Sequence, residues 1–215
     1  MEPITTTFED WTIRVQPPAK KPARVMLMLH GWTGDETSMW FLARNFKDTY
    51  WLLAPRAPYP APQEGFSWRP SSPGSSHPPT YEQMRPSAAM LLDLIDRWGI
   101  ANAVDVNQFD IMGFSQGAAM AVTFAVTYPQ RIRKMGVLAG FAPKDMEPLT
   151  ASRPLKGKTA FLAHGASDEL VPIETAHATL ALLERAGAEV IFCEAEAGHK
   201  VSAECLRALE AFFSS

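Results

Sequence analysis

The sequence predicts an α/β fold in which helices cover both faces of a mostly parallel sheet. Continuous apolar runs of strand length occupy residues 25–29 and 51–54, and such runs are typical of strands buried on both faces of a parallel sheet. A further strand is expected at residues 159–163. Segments with apolar residues at helical spacing separate these runs, and the alternation favours a parallel sheet between two helical layers. The length of 215 residues fits one such unit. We therefore expect a single domain over residues 1–215.

The other elements follow from the same patterns. Residues 11–15 alternate apolar and polar side chains, which predicts a half-exposed antiparallel strand. Residues 81–98 are amphipathic at helical spacing, and we expect Gly99 to end that helix. Further strands are expected at residues 109–112, 135–140 and 190–193, and further helices at residues 39–46, 118–125, 174–186 and 203–213. The connection at residues 141–158 is too short for a large lid domain, so we expect an open site.

Residues 113–117 read Gly-Phe-Ser-Gln-Gly and lie between a predicted strand and a predicted helix. A strand, a G-x-S-x-G turn and a helix form the nucleophile elbow of the α/β-hydrolases. Glycines suit the flanking positions because the turn is sharp and the backbone passes close by. The pattern predicts an α/β-hydrolase fold with Ser115 as the nucleophile. The alternative is that Ser115 is an ordinary helix N-cap whose side chain accepts from the first-turn amides.

A catalytic serine needs a base, and the base needs a carboxylate to orient it. In α/β-hydrolases the acid and then the histidine follow the serine along the chain, each on a loop after a strand. Asp168 and His199 occupy such loops, so we expect Asp168 to orient His199. Asp145, after the preceding strand, remains an alternative acid.

The remaining candidate side chains have other expected places. Glu169 is expected to be solvated. His30 and His164 each precede a glycine at a strand end, so we expect them to brace turns. His77 precedes Ser115 in the chain, and His177 falls inside a predicted helix.

A tetrahedral intermediate at Ser115 would need two N–H donors, one of them from the residue after the nucleophile. That residue is Gln116. The second donor should come from the loop after the strand at residues 25–29, where Gly31 lets the chain turn toward the site. We expect the N–H of Trp32 to be this donor.

Residues 55–79 form the least regular segment. Prolines exclude a regular helix or strand ladder there and stand at positions 55, 58, 60, 62, 70, 73, 78 and 79. Large aromatic residues in the segment argue against a disordered linker. We expect a wall over the active site, with Phe66 and Trp68, together with Val171, shaping the substrate pocket. A purely structural wrap is the alternative.

These motifs resemble the phospholipase/carboxylesterase family, the small α/β-hydrolases that include the acyl-protein thioesterases. The matching pieces span nearly the whole chain and are residues 29–31, 113–117, 164–172 and 198–199. The resemblance implies hydrolysis of carboxylic esters or thioesters by Ser115, Asp168 and His199, with no metal and no cofactor.

The chain departs from the family pattern at two places. Thr33 stands where the family loop commonly has a second glycine. Trp68 is followed by Arg69 and Pro70, whereas the thioesterases carry an aromatic residue and an aspartate there. The second departure favours a general esterase over a protein-depalmitoylating enzyme.

Charge and composition exclude several other classes. A formal net charge of −3 gives no reason to expect nucleic acid, and we expect Arg131, Arg133 and Lys134 to form a solvated face. The sequence has neither a secretory signal nor an apolar run long enough to span a membrane, so we expect no integral membrane association and a cytoplasmic location. Cys193 and Cys205 are accordingly expected to be reduced. Nothing in the sequence indicates a homo-oligomer.

The sequence thus predicts a serine carboxylesterase that hydrolyses small to medium acyl esters through an acyl-enzyme. An acyl thioesterase or a lysophospholipase is the alternative within the same enzyme class. A non-catalytic binding protein on the same fold is the alternative from another class, and the presence of all three expected catalytic residues argues against it.

Overall fold

The computed structural model describes residues 2–20, 23–43, 45–70 and 78–215. Its main feature is an eight-stranded sheet, and a separate two-stranded hairpin lies apart from it. In chain order the strands of the sheet are β1 (Ile4–Phe8), β2 (Trp11–Gln16), β3 (Arg24–Leu29), β4 (Tyr50–Pro55), β7 (Phe109–Phe114), β8 (Ile132–Leu138), β9 (Thr159–Gly165) and β10 (Glu189–Ala195). The hairpin consists of β5 (Tyr59–Pro60) and β6 (Phe66–Ser67).

The strand order in the sheet is β1-β2-β4-β3-β7-β8-β9-β10. Strand β2 pairs antiparallel with β1 and with β4, and every other neighbouring pair is parallel. The predicted mostly parallel sheet is confirmed. Because the carboxyl ends of parallel strands meet at one edge, the loops after β3, β7, β9 and β10 converge there.

Helices cover both faces of this sheet, as predicted. In chain order they are α1 (Trp40–Ala43), α2 (Tyr81–Asn102), α3 (Gln116–Thr127), α4 (Glu147–Thr150), α5 (Ile173–Arg185) and α6 (Ala203–Ser214), with a 3-10 turn at Pro129–Arg131. Alternate residues of β3 point to opposite faces. Leu27 belongs to the apolar layer that contains α2, α3 and α5, and Met28 to the layer that contains α1 and α6.

Two helix ends differ from the predictions. Helix α2 continues past Gly99 to Asn102, and its C-cap residue Ala103 takes the left-handed conformation with φ 53°. Gly99 serves close packing instead, because a Cβ on it would lie 2.5 Å from Cγ2 of Val106. The helix expected at residues 39–46 is regular only over the four residues of α1.

The basic cluster at the amino ends of β7 and β8 is not a solvated face, contrary to expectation. Arg133 donates to the fully buried carboxylate of Asp110 at 3.0 and 2.8 Å, and Arg131 pairs with Asp96 at 2.6 Å. Lys134 donates to the carbonyl of Phe212 near the end of α6. The cluster therefore ties the sheet to neighbouring elements.

The same region holds the end of α6 through side chains from two further strands. Arg24 on β3 and the hydroxyl of Tyr50 on β4 each lie 2.9 Å from the carbonyl oxygen of Phe213. These donors satisfy last-turn carbonyls that have no partner within a helix.

The prediction of two reduced cysteines is wrong, because a disulfide joins Cys193 on β10 to Cys205 on α6. The end of β10 runs beside the first turn of α6 and brings the two Cα atoms to 5.7 Å, within the usual range for a disulfide. The expectation rested on the absence of an export signal, which carries no information about this proximity.

Among the described residues, none of the helices combines the length and the apolar character that a membrane crossing requires.

Candidate active site

Ser115 joins β7 to α3 in a strained conformation, with φ 54° and ψ −117°. A Cβ on Gly113 would lie 2.0 Å from the carbonyl oxygen of Gly117, and a Cβ on Gly117 would lie 2.1 Å from that of Leu29. The flanking glycines are required because the backbone approaches too closely for any side chain. The Ser115 side chain makes no capping hydrogen bond to α3, so the N-cap alternative is wrong.

Asp168 and His199 come together on the loops after β9 and β10. Nδ1–H of His199 donates to Oδ2 of Asp168 at 2.7 Å, and Oδ1 accepts from the N–H groups of Leu170 and Val171, each at 2.9 Å. Burial alone would raise the pKa of Asp168, but these hydrogen bonds outweigh it and hold the pKa below its ordinary value. Asp168 is thus a carboxylate at neutral pH that fixes the ring of His199.

The backbones of these two loops also interlock. A Cβ on Gly165 would lie 2.2 Å from the carbonyl oxygen of Ala197 and 2.3 Å from that of Gly198. The N–H of Ser167 donates to the same Ala197 carbonyl at 3.0 Å. This close packing places the His199 loop directly over the Asp168 loop.

A cavity of about 660 Å³ contains both Ser115 and His199 in its wall. The ring of His199 packs against that of Phe114, the neighbour of Ser115, with 5.0 Å between centroids. The residues that line the cavity are Gly31, Trp32, Thr33, Pro78, Phe114, Ser115, Gln116, Phe141, Leu170, Val171, Pro172, Thr175 and His199. Among the described residues, this lining contains no Asp, Glu, Lys or Arg.

Of the alternative side chains, His164 lies beside the Asp168 carboxylate, with its Nε2 3.5 Å from Oδ2, and the others that the structure describes lie farther from it. Asp145 is exposed, with φ 65°, whereas the carboxylate bonded to His199 is that of Asp168. Nε2–H of His164 donates to the carbonyl of Val171 at 2.8 Å and so braces a turn, as expected. Glu169 is exposed, as expected, and His177 lies on α5 beside Glu194. His77 lies outside the described residues.

His30 braces the loop that carries Trp32. Its Nδ1–H donates to the carbonyl of Gly31 at 2.7 Å, and its Nε2 accepts from the N–H of Ala57 at 3.0 Å. Burial lowers the pKa of His30 and outweighs the opposing pull of the Gly31 carbonyl and the nearby carboxylates. The ring is therefore neutral and bonded at both nitrogens.

The two expected oxyanion donors lie on segments beside Ser115. Gln116 is the first residue of α3, so its N–H has no acceptor within the helix. A Cβ on Gly31 would lie 3.3 Å from the Ser115 Cβ, which places the Trp32 loop against the nucleophile. Thr33, at the family's second glycine, takes the left-handed conformation itself with φ 68°.

Phe66 and Trp68 are not where the pocket prediction puts them. Trp68 is 0% exposed, and neither residue lines the cavity. The backbone of Phe66 forms an isolated β-bridge with Gly34. The guanidinium carbon Cζ of Arg56 lies over the Phe66 ring, 4.5 Å from its centroid. The physical reason is that the backbone of the β5–β6 hairpin pairs with the Trp32 loop through Thr33 and Gly34. Of the three predicted pocket residues, Val171 alone belongs to the described cavity wall.

A family model described as phospholipase/carboxylesterase matches residues 12–215. The chain belongs to this family. Among curated relatives, a probable carboxylesterase SOBER1-like of Arabidopsis thaliana is 29% identical over 184 residues, which are 80% of this chain and 69% of that protein. An acyl-protein thioesterase 1 of Kluyveromyces lactis is 28% identical over 179 residues, 75% of this chain and 77% of that protein.

Solved structures of carboxylesterases share the fold. One from Mesorhizobium loti superposes with a TM-score of 0.84, and each chain is covered to 100%. Its sequence identity to this chain is 22%, so the likeness concerns the fold alone. Family and fold together make this chain a hydrolase of the carboxylesterase and acyl thioesterase type.

Proposed function

We propose that the chain is a serine carboxylesterase that hydrolyses small to medium acyl esters. The observation that carries the proposal is the 2.7 Å hydrogen bond between His199 and Asp168, beside a cavity whose wall includes Ser115. The family match over residues 12–215 supports treating residues 1–215 as one catalytic domain.

In the proposed reaction, Oγ of Ser115 attacks the ester carbonyl while Nε2 of His199 takes its proton. The negative oxygen that forms accepts from the N–H groups of Gln116 and Trp32. His199 then gives the proton to the leaving alcohol, and an acyl-enzyme remains. Water, activated by His199, releases the acid. Asp168 stabilises the imidazolium at each stage, and its lowered pKa keeps it charged for that role.

The cavity supports an uncharged substrate. Its described wall is largely apolar and contains no Asp, Glu, Lys or Arg side chain, which favours a neutral ester over a lysophospholipid with its charged headgroup. A volume of about 660 Å³ suits a short or medium acyl chain with a small alcohol. Acyl thioester hydrolysis is the second candidate, and the thioesterase relative from Kluyveromyces lactis favours it.

The test is hydrolysis of p-nitrophenyl esters from two to sixteen acyl carbons, with Ser115→Ala and the exposed control Ser152→Ala. We expect the highest kcat/KM for short to medium chains. Ser115→Ala should lose roughly 10⁶ in kcat and keep its circular dichroism spectrum, while Ser152→Ala should behave as wild type. Substantial turnover by the Ser115→Ala variant would refute the assignment of Ser115 as the nucleophile.

A second series compares each oxygen ester with the thioester of the same acyl group and a neutral thiol. A larger kcat/KM for the thioesters throughout would move the assignment to an acyl thioesterase. Faster hydrolysis of lysophosphatidylcholine than of neutral esters would contradict the proposed uncharged substrate.

A further inference from the structure

We propose that Trp68 is a positioning residue for the oxyanion hole and that it joins the two chain segments which supply the hydrogen-bond donors. The inference rests on the proposed function, because it concerns the geometry around the negative oxygen formed at Ser115. Trp68 does not line the cavity, so it acts through its neighbours rather than by touching the substrate.

The indole of Trp68 holds the first segment. Its Nε1–H donates to the carbonyl of His30 at 2.8 Å, two residues before the proposed donor Trp32. The rings of Trp68 and His30 also pack together, with 5.1 Å between their centroids. The indole thus fixes the carbonyl that starts the turn carrying the Trp32 N–H.

The backbone of Trp68 holds the second segment. Its N–H donates to Oε1 of Gln116 at 3.0 Å, and Nε2 of Gln116 lies 3.2 Å from the Ser67 hydroxyl oxygen. Gln116 is buried, and both polar atoms of its side-chain amide have partners in the segment at Ser67 and Trp68. One residue therefore contacts both segments from which oxyanion donors are proposed.

Trp68 is itself immobilised from two sides. Ser87 on α2 donates its hydroxyl to the Trp68 carbonyl at 2.7 Å. Upstream of it, Phe66 exchanges two 3.0 Å backbone hydrogen bonds with the Trp32 loop, through the N–H of Thr33 and the carbonyl of Gly34. The contacts from Phe66 to Trp68 form a brace between the Trp32 loop, α2 and α3.

Such a brace matters for catalysis because oxyanion donors act by being in place before charge develops. A donor that has to move or be reoriented stabilises the transition state less, while ground-state binding in the cavity is unaffected. The brace should therefore influence kcat and leave KM nearly unchanged.

The experiment uses Trp68→Phe, which removes the indole N–H and retains an aromatic ring. The matched control is Trp98→Phe, which makes the same change at a buried tryptophan that packs on Trp51 and lies outside the cavity wall. Gln116→Met removes the side-chain oxygen that accepts from the Trp68 N–H and keeps the backbone N–H of residue 116. This variant tests the brace if Trp68→Phe fails to fold. Each protein is assayed for kcat and KM on a p-nitrophenyl ester and for inhibition by a trifluoromethyl ketone, which forms a negatively charged hemiketal with the nucleophile.

We expect Trp68→Phe and Gln116→Met each to lose about 10- to 100-fold in kcat, less than deletion of a donor. KM should change by less than about twofold, and the ketone should bind more weakly by the same factor as the loss in kcat/KM. Trp98→Phe should keep the kcat of wild type whatever its melting temperature.

The brace is refuted if wild type is active and both brace variants keep kcat within about threefold, or if their loss lies in KM alone. A wild type that hydrolyses no ester refutes the proposed function and the brace together. The two failures are therefore distinguishable.

Discussion

At the scale of single residues, the strained backbone of Ser115 makes a prediction about stability. With φ 54° and ψ −117°, a non-glycine residue costs on the order of 1–3 kcal/mol, which glycine avoids. Glycine loses more backbone entropy on folding, and this offsets part of the gain. We therefore expect the Ser115→Gly variant to be more stable than the Ser115→Ala variant, with a free energy of unfolding about 1 kcal/mol larger.

Urea denaturation of the two inactive variants measures this difference. The control is Ala89→Gly at an exposed position within α2, where glycine should be destabilising by about 1 kcal/mol. If Ser115→Gly were the less stable of its pair, the strain would be absent in solution.

Asp168 and Asp145 can be separated by the same substitution at both positions. Asp168→Asn keeps the shape of the residue that bonds His199 but removes the charge and disturbs the imidazole tautomer, so kcat should fall by about 10⁴. Asp145→Asn changes an exposed residue and should leave kcat within about twofold of wild type. The measurement is kcat of both variants on one p-nitrophenyl ester. A greater loss of kcat in Asp145→Asn would assign the orienting role to Asp145.

At the scale of secondary-structure elements, the disulfide closes a covalent loop around His199. Cys193 and Cys205 are 12 residues apart, and a crosslink over a loop of this size stabilises by about 3 kcal/mol. We expect Cys193→Ala/Cys205→Ala to lower the free energy of unfolding by about that amount. Thermal unfolding with and without dithiothreitol is the measurement. The reductant should lower the Tm of wild type and leave that of the double variant unchanged, and equal responses would argue against the bond.

The buried His30 beneath the Trp32 loop predicts a pH dependence of stability. Burial lowers its pKa in the folded protein below the unfolded value of about 6.5, so the unfolded chain binds the proton more tightly. The stability that neutral His30 contributes is complete above that unfolded pKa and is lost as the pH falls below it toward the folded pKa.

Chemical denaturation at a series of pH values from about 7.5 to 5 tests this, since the unfolded pKa lies within that interval. His30→Gln should be less stable than wild type at the upper end and should show a smaller decline toward the lower end. The matched control His177→Gln removes an exposed histidine from α5. If His30→Gln removed no more of the decline than His177→Gln does, protonation of His30 would not be the cause.

The elements that carry Ser115, Asp168 and His199 follow strands that the sequence predicts well. Strands β3, β7 and β9 are short, largely apolar runs inside a doubly covered sheet, where burial selects the residue types. Strand β10 is a half-exposed edge strand, and its apolar run at residues 190–193 indicated it. The polar edge strand β1 and the β5–β6 hairpin could not be predicted in this way. Strand β1 is an exposed edge strand made mainly of threonines, so it has no apolar pattern. The hairpin strands are only two residues long, and the surrounding prolines predict no regular strand there.

The sequence likewise predicts some features of the candidate site and not others. The order of serine, acid and histidine along a parallel sheet indicated which loops converge, and the structure brings Asp168 and His199 into contact. The place of Trp68 could not be predicted, because proline-rich segments carry no periodicity that says which face of a loop is buried. The Cys193–Cys205 bond depends on how α6 docks on β10, a long-range contact that no local pattern encodes.

At the scale of the whole molecule, the way the end of α6 is held has a consequence for the order of folding. The donors to its last carbonyls are Arg24, Tyr50 and Lys134, which precede their acceptors by 189, 163 and 78 residues. They sit on three strands, β3, β4 and β8, that are close together only once the sheet has assembled. The binding site for this helix end therefore does not exist early in folding, and contacts so distant in sequence form slowly.

We expect α6 to dock last, after the central strands have paired. Pulse-labelling hydrogen exchange during refolding should find the amides of β3, β7 and β8 protected before those of α6, and Arg24→Met should speed unfolding without slowing the formation of the sheet. Protection of α6 ahead of β7 would contradict this order. Until α6 docks, the apolar layer around Met28 and Phe161 stays uncovered, so refolding yield should fall with rising protein concentration as partly folded chains associate through that face.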